Sequence, residues 1–272
     1  MTAMLAKPCA LVLFLASSVA LASAADGQCG APTFADEFDA AQLDSARWNV
    51  VTGDGCELNL CGWGNNEQQV YNREAAVVQG GMLQLMAYQA TGKQIASARL
   101  TTEGKFSQRY GRFEARMKLP PNLGLWPAFW LLPADKQQVW PLEGEIDILE
   151  QKGFSRESKR EVLGAIHFGE KWPNNTHYSE SITRPTPFAD RWHVYAIEWR
   201  EGVIRWFVDD KQYGEVRRAD IAPHRWPFDD KPFYIILNLA VGGTLGGDVV
   251  EETLPAWMLV DYVRVYDGSC LS

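Results

Sequence analysis

Between residues 111 and 119 apolar and charged side chains alternate without a break: Phe113, Ala115 and Met117 against Arg112, Glu114, Arg116 and Lys118. A helix would scatter these around its circumference, whereas a half-buried strand puts one set on each face. Short β-branched or aromatic runs bounded by Gly, Pro or Asp recur at 194–199, 204–208, 233–239 and 258–266. Beyond residue 24 no stretch keeps a 3.6-residue apolar period, and no linker, repeat or low-complexity tract interrupts the chain. These patterns predict an all-β protein, a single antiparallel β-sandwich over residues 25–272.

Composition narrows the function. At 46% hydrophobic and 22% charged residues the chain can build an ample core and is not a disordered one. Its formal charge of -8 removes the basic surface that a nucleic-acid partner requires. Aromatic side chains make up 12% of the residues, more than a core of this size calls for, and flat rings are what sugar faces stack on. Lys7, an apolar run from Cys9 and the small-residue pattern Ala22-Ser23-Ala24 read as a signal peptide over residues 1–24. The run is too short for a span of about 20 residues, so the mature protein is expected to be secreted or periplasmic, without a membrane span. Cleavage removes Cys9 and leaves Cys29, Cys56, Cys61 and Cys270, an even number suited to disulfides. Of the three possible connectivities, Cys56 with Cys61 in one loop and Cys29 with Cys270 across the chain ends are favoured. No His lies at zinc-ligand spacing from Cys56 and Cys61.

The segment Trp140-Pro141-Leu142-Glu143-Gly144-Glu145-Ile146-Asp147-Ile148-Leu149-Glu150 carries the chemistry. In a strand Glu145 and Asp147 share one face while Ile146 and Ile148 enter the core. Glu150, five residues from Glu145, would then point into the core, where an unpaired carboxylate costs several kcal/mol. A one-residue bulge at Ile148 or Leu149 returns Glu150 to the face of the other two acids. Their Cα atoms are then roughly 13 Å apart, and with both side chains leaning inward the carboxyl groups come within about 5 Å. That separation is near the roughly 5–5.5 Å of retaining glycosidases and short of the wider inverting spacing. Like charges so close keep one carboxyl protonated near neutrality, which yields one acid and one nucleophile. A solvated acidic face or a cation site would explain three acids equally well. Trp126, Trp130 and Trp140 tilt the balance toward sugar chemistry, because a glucan cleft needs aromatic walls.

Glu145-Ile146-Asp147-Ile148-Leu149-Glu150 resembles the active-site signature of glycoside hydrolase family 16 in the bulged form of its laminarinase-like branch. The resemblance extends to Phe34-Ala35-Asp36-Glu37-Phe38-Asp39, Gly64-Asn65-Asn66-Glu67-Gln68-Gln69-Val70-Tyr71 and Trp126-Pro127-Ala128-Phe129-Trp130-Leu131-Leu132-Pro133. It continues through residues 110–120, Asn238-Leu239-Ala240-Val241-Gly242-Gly243 and Val260-Asp261-Tyr262-Val263-Arg264-Val265-Tyr266. It implies a β-jelly roll with an open cleft on its concave sheet, acting as a monomer on a β-glucan polysaccharide.

By the same resemblance Glu145 is the nucleophile, Glu150 the general acid and then base, and Asp147 the neighbour that tunes both. Trp126, Trp130 and Trp140 are the sugar-stacking rings, with a core position as the other reading of Trp130. Asn66, Glu67 and Arg99 bind sugar hydroxyls, or else tie down their own loop. His167 is a cleft histidine on the leaving-group side, or a plain strand histidine. Catalysis needs no cofactor, while a structural Ca²⁺ would take the Asp261 carboxylate and backbone oxygens near Glu37 and Gly80. The loop 169–187, with Lys171-Trp172-Pro173-Asn174-Asn175, matches nothing in the family pattern. Hydrolysis of β-1,3-glucan is the main expectation. The alternatives are a β-glucan-binding protein without turnover and a relative acting on mixed-linkage glucan or galactan.

Overall fold

Alternation of the kind seen at 111–119 is realised in seventeen strands among the described residues, 30–137 and 139–268 of this computed structural model. The signal peptide expected at residues 1–24 and the bridge expected between Cys29 and Cys270 lie outside them. In chain order the strands begin with β1 (Phe34–Asp36), β2 (Asn49–Val51), β3 (Val70–Tyr71), β4 (Ala76–Val78) and β5 (Leu83–Gln89). There follow β6 (Ile95–Ser97), β7 (Arg99–Thr101), β8 (Gly111–Lys118), β9 (Leu125–Pro133), β10 (Glu145–Glu150) and β11 (Glu161–Gly169). The last are β12 (Asn175–Thr183), β13 (Trp192–Arg200), β14 (Val203–Val208), β15 (Lys211–Arg217), β16 (Phe233–Val241) and β17 (Ala256–Tyr266).

They form two sheets. One has ten strands in the order β15-β14-β13-β8-β17-β5-β6-β3, with β1 on β17 and β4 on β5; the other has seven, β12-β11-β10-β9-β16-β7-β2. Only β3 and β6 run parallel. The antiparallel sandwich expected from the alternation is therefore the fold. Phe113, Ala115 and Met117 of β8 are fully buried and meet Phe129, Leu131 and Ile146 of the second sheet in one hydrophobic core. Strand β16 is buried along its whole length. Its odd-numbered residues Phe233 to Val241 enter the core, and Tyr234, Ile236, Asn238 and Ala240 lie on the opposite face, which other side chains cover.

The bulge predicted in the acidic strand is present. Against β11, Asp147 pairs with Ala165 and Glu150 with Leu163, so three steps on one strand answer two on the other. Against β9, Asp147 pairs with Trp130 and Leu149 with Phe129, which places the extra residue at Ile148. Ile148 and Leu149 both enter the core, and Glu150 regains the outer face. A tryptophan of the other sheet locks this kink: Trp206 of β14 donates its indole N–H to the carbonyl of Asp147 at 2.8 Å. The ring reaches that carbonyl because Gly164 of β11 has no side chain; a Cβ there would lie 2.1 Å from the indole.

Lys159 is the misfit of the interior. It is 3% exposed, and the only polar contact of its ammonium among the described residues is the carbonyl of Leu125 at 3.5 Å. Burial lowers its pKa to about 8. The unfolded chain therefore binds more protons between about pH 8 and 10.5, and stability from this group rises across that window and is lowest below it.

Two outcomes follow. Trp206→Phe strands the Asp147 carbonyl and Gly164→Ala overpacks the indole, so each should lower unfolding stability by about 1–3 kcal/mol in urea titrations; unchanged midpoints in both would mean that this contact does not hold the bulge. Lys159→Met should raise Tm by several degrees at pH 6–7 and by less near pH 10, as read by calorimetry; an equal gain at both would show that the ammonium charge is not what destabilises the wild type.

Candidate active site

Because the bulge resets the register, Glu145, Asp147 and Glu150 share the outer face of the seven-stranded sheet. Asp147 and Glu150 are almost fully buried, and Glu145 is half-buried. An indole N–H holds each glutamate from the side: Trp140 donates to Glu145 Oε2 at 2.8 Å and Trp126 to Glu150 Oε1 at 2.9 Å. His167, directly across from Glu145 on β11, places Nε2 3.3 Å from Asp147 Oδ2 and 3.8 Å from Glu145 Oε1. Ala165, across from Asp147, is buried.

The charges sort the two glutamates. Burial and the charge of Asp147 raise both carboxyls, Glu145 to about 7 and Glu150 to about 8. His167, the Trp140 N–H and Arg99 pull Glu145 back toward ionisation; His167 and the Trp126 N–H do the same for Glu150, against the further repulsion of Glu145. Burial works against a charge on His167, but the hydrogen bond to Asp147 and the surrounding acids outweigh it and lift the imidazole to about 10. Glu145, Asp147 and His167 also bring one ligand atom each within 4.8 Å of one another, the outline of a cation site. A histidine held protonated has no lone pair to give, so this cluster is built as an ion-paired network.

The other residues singled out from sequence divide between the open face and its support. Trp140 is 38% exposed and offers its ring to a ligand. Trp126 is 8% exposed; its edge anchors Glu150, so it orients the acid more than it presents a stacking face. Trp130 is half-buried rather than core, with its N–H on Asn238 Oδ1 at 2.7 Å. Arg99 stacks its guanidinium on Trp130 and on Trp63, at 4.9 and 4.6 Å from the ring centroids. Glu67 accepts from Asn65, from Gln69 at 2.6 Å and from Tyr71 at 3.0 Å, so it ties down its own segment. Asn66 is exposed in a left-handed backbone conformation, φ 58°.

Trp63, Tyr71 and Asn238 were missed as site residues. The last two stand within blocks already recognised and Trp63 directly precedes one, yet only the fold shows that Asn238 and Arg99 are cross-strand partners. The expected bridge between Cys56 and Cys61 is formed, and it closes the turn just before Trp63. At the expected cation position Asp261 is paired with Arg116 at 2.7 Å and Glu37 with Arg264 at 2.8 and 2.9 Å, while Gly80 occupies a left-handed turn. Of the expected ligands the Asp261 carboxylate is the one engaged by a guanidinium group, while those near Glu37 and Gly80 would be backbone oxygens, which the side-chain pairing of Glu37 does not occupy.

Residues 63–262 match the model of the glycosyl hydrolases family 16. A β-glucanase of Rhodothermus marinus is 44% identical over 253 residues, covering 86% of this chain and 84% of that protein. Glucan endo-1,3-β-glucosidase A1 of Niallia circulans is 39% identical, over 85% of this chain and 37% of that protein. The solved structure of the Rhodothermus marinus laminarinase superposes with a TM-score of 0.77 at 42% identity, over 87% of this chain and 97% of the other. With the bulged acidic strand, the aromatic setting and these matches in agreement, the chain belongs to glycoside hydrolase family 16.

Proposed function

We propose that the protein is an endo-β-1,3-glucanase that cleaves laminarin-like polymers with retention of configuration. The observation that carries this reading is the pair Glu145 and Glu150, brought onto one face by the bulge and each fixed by an indole N–H. Glu145, flanked by His167 and Arg99, is the more readily ionised and attacks the anomeric carbon. Glu150 holds its proton longer and delivers it to the glycosidic oxygen as that bond breaks. A glycosyl-enzyme ester on Glu145 results. Glu150, now a carboxylate, takes a proton from water, whose oxygen attacks the anomeric carbon and releases Glu145. His167, 3.8 Å from Glu145 and 3.3 Å from Asp147, favours the carboxylate form of the nucleophile when it is protonated. Trp140, Trp130 and Arg99 supply stacking and hydroxyl-binding groups for the chain. No metal or cofactor enters these steps. Among the described residues no helix is long and apolar enough to cross a membrane, and export through the N-terminal signal is part of the proposal.

Glu145→Gln should lower reducing-sugar release from laminarin by about a thousandfold or more while circular dichroism stays native; retained turnover would dismiss Glu145 as the nucleophile. The active form needs Glu145 ionised and Glu150 protonated. The kcat/KM on laminarin should therefore fall as pH drops through about 7 and again as pH rises through about 8, a narrow bell whose limbs belong to the coupled pair. A profile flat from pH 5 to 9 would contradict this proton assignment. Comparison of products from laminarin, mixed-linkage barley glucan and agarose settles the polymer, with laminarin expected to be cut fastest.

A further inference from the structure

Trp140, whose indole holds Glu145, stands on none of the strands. It lies in the link between β9 and β10, where short turns run from the amide of Leu142 to the carbonyl of Val139 at 3.1 Å and from Gly144 to Pro141 at 2.9 Å. Val139 is 63% exposed and Trp140 38%, so core packing does not fix this apex. An indole carried on such a link keeps its 2.8 Å bond to Glu145 only if the limbs on either side are tied down, because an untied link gains entropy by moving.

The tie is a carboxylate. Glu143, on the limb that returns to β10, is buried. Its Oε2 accepts the backbone N–H of Gln137, on the limb that leaves β9, at 2.9 Å. Its Oε1 accepts from Lys231 Nζ at 2.6 Å, and the same ammonium donates to the carbonyl of Asp135 at 2.5 Å. Lys231 stands at the foot of β16, where the amide of Ala134 donates to the carbonyl of Pro232 and Pro133 pairs with Phe233. One largely buried ion pair therefore joins the outgoing limb, the returning limb and β16, and Trp140 is carried between the two limbs. Lys136 adds a pair with Glu103 on the outgoing limb, but both groups are exposed and such pairs contribute little.

We propose that Glu143 and Lys231 are positioning residues for the reaction: their ion pair ties the two limbs of the link and so holds the Trp140 indole against Glu145. This rests on the glucanase reading and deepens it. The effect of the pair passes through Trp140, whose N–H favours the carboxylate form of Glu145. Asp147, His167 and Arg99 face Glu145 from β10, β11 and β7 and stay in place when the tie is cut. Removing one member of a buried pair strands the other and changes the local charge. The double variant Glu143→Leu/Lys231→Met avoids both, since it takes away one negative and one positive charge.

The test is the pH profile of kcat/KM on laminarin, measured with the intact enzyme at a temperature where circular dichroism shows each variant folded. In the double variant the acid limb should move up by about half a pH unit while the basic limb stays, and kcat/KM at neutral pH should fall about fivefold. In a Trp140→Phe background the same two substitutions should shift the limb no further, because the N–H they position is gone. The single variants separate positioning from charge by sign. Acting through Trp140, Lys231→Met and Glu143→Leu both raise the acid limb; acting through charge alone, the first raises it and the second lowers it. An acid limb that stays put, single variants that move it in opposite directions, or an undiminished shift in the Trp140→Phe background would overturn the assignment, even if Tm falls, since a merely structural pair lowers stability without moving the limb. Each of these results leaves the glucanase reading standing. Wild-type protein that leaves laminarin uncut would overturn that reading, and this inference with it.

Discussion

A single hydrogen bond across the sandwich, from the Trp206 indole to the carbonyl of Asp147, stands behind the geometry of the site. A strand with acids at 145, 147 and 150 cannot present them all on one face unless it is bulged, and a bulge breaks its own ladder. A buried carbonyl at such a break needs a donor. The second sheet supplies it, through the gap that Gly164 leaves. The arrangement of the three acids thus depends on a fully buried residue of the other sheet.

Around that strand the sheet has two kinds of neighbour. Toward β16 and β7 the outer face is crowded with Asn238, Trp130, Arg99 and Tyr71 in a connected network, which fixes the ring planes before any ligand arrives. Beyond the buried Ala165 and Leu163 of β11, the outer face of β12 is exposed and polar.

Keeping two carboxyls and an aspartate together in a partly dry site is unfavourable for folding, and the raised values of Glu145 and Glu150 are the measure of it. His167 offsets part of this cost, because its elevated proton affinity keeps a positive charge beside Asp147 over the whole working range. The same imbalance makes the reaction possible. The two glutamates differ in their surroundings: His167, Arg99 and the Trp140 N–H favour an ionised Glu145, whereas Glu150 has His167 and the Trp126 N–H against the added repulsion of Glu145.

Strand alternation, the acidic hexapeptide and its need for a bulge were all legible in the order of residues, since a period of two and the cost of a buried charge act locally. So were the Cys56–Cys61 bridge and the aromatic character of the groove. What stood beyond reach were contacts between residues distant along the chain: Asn238 beside Arg99, Trp206 beneath Asp147, Trp126 turned edge-on to Glu150, and the guanidinium partners of Asp261 and Glu37. Sequence by itself determined which side chains share a strand face, because pleating sets that over a few residues. Tertiary structure alone decided which of those faces meet, since strand order and register depend on how two whole sheets pack.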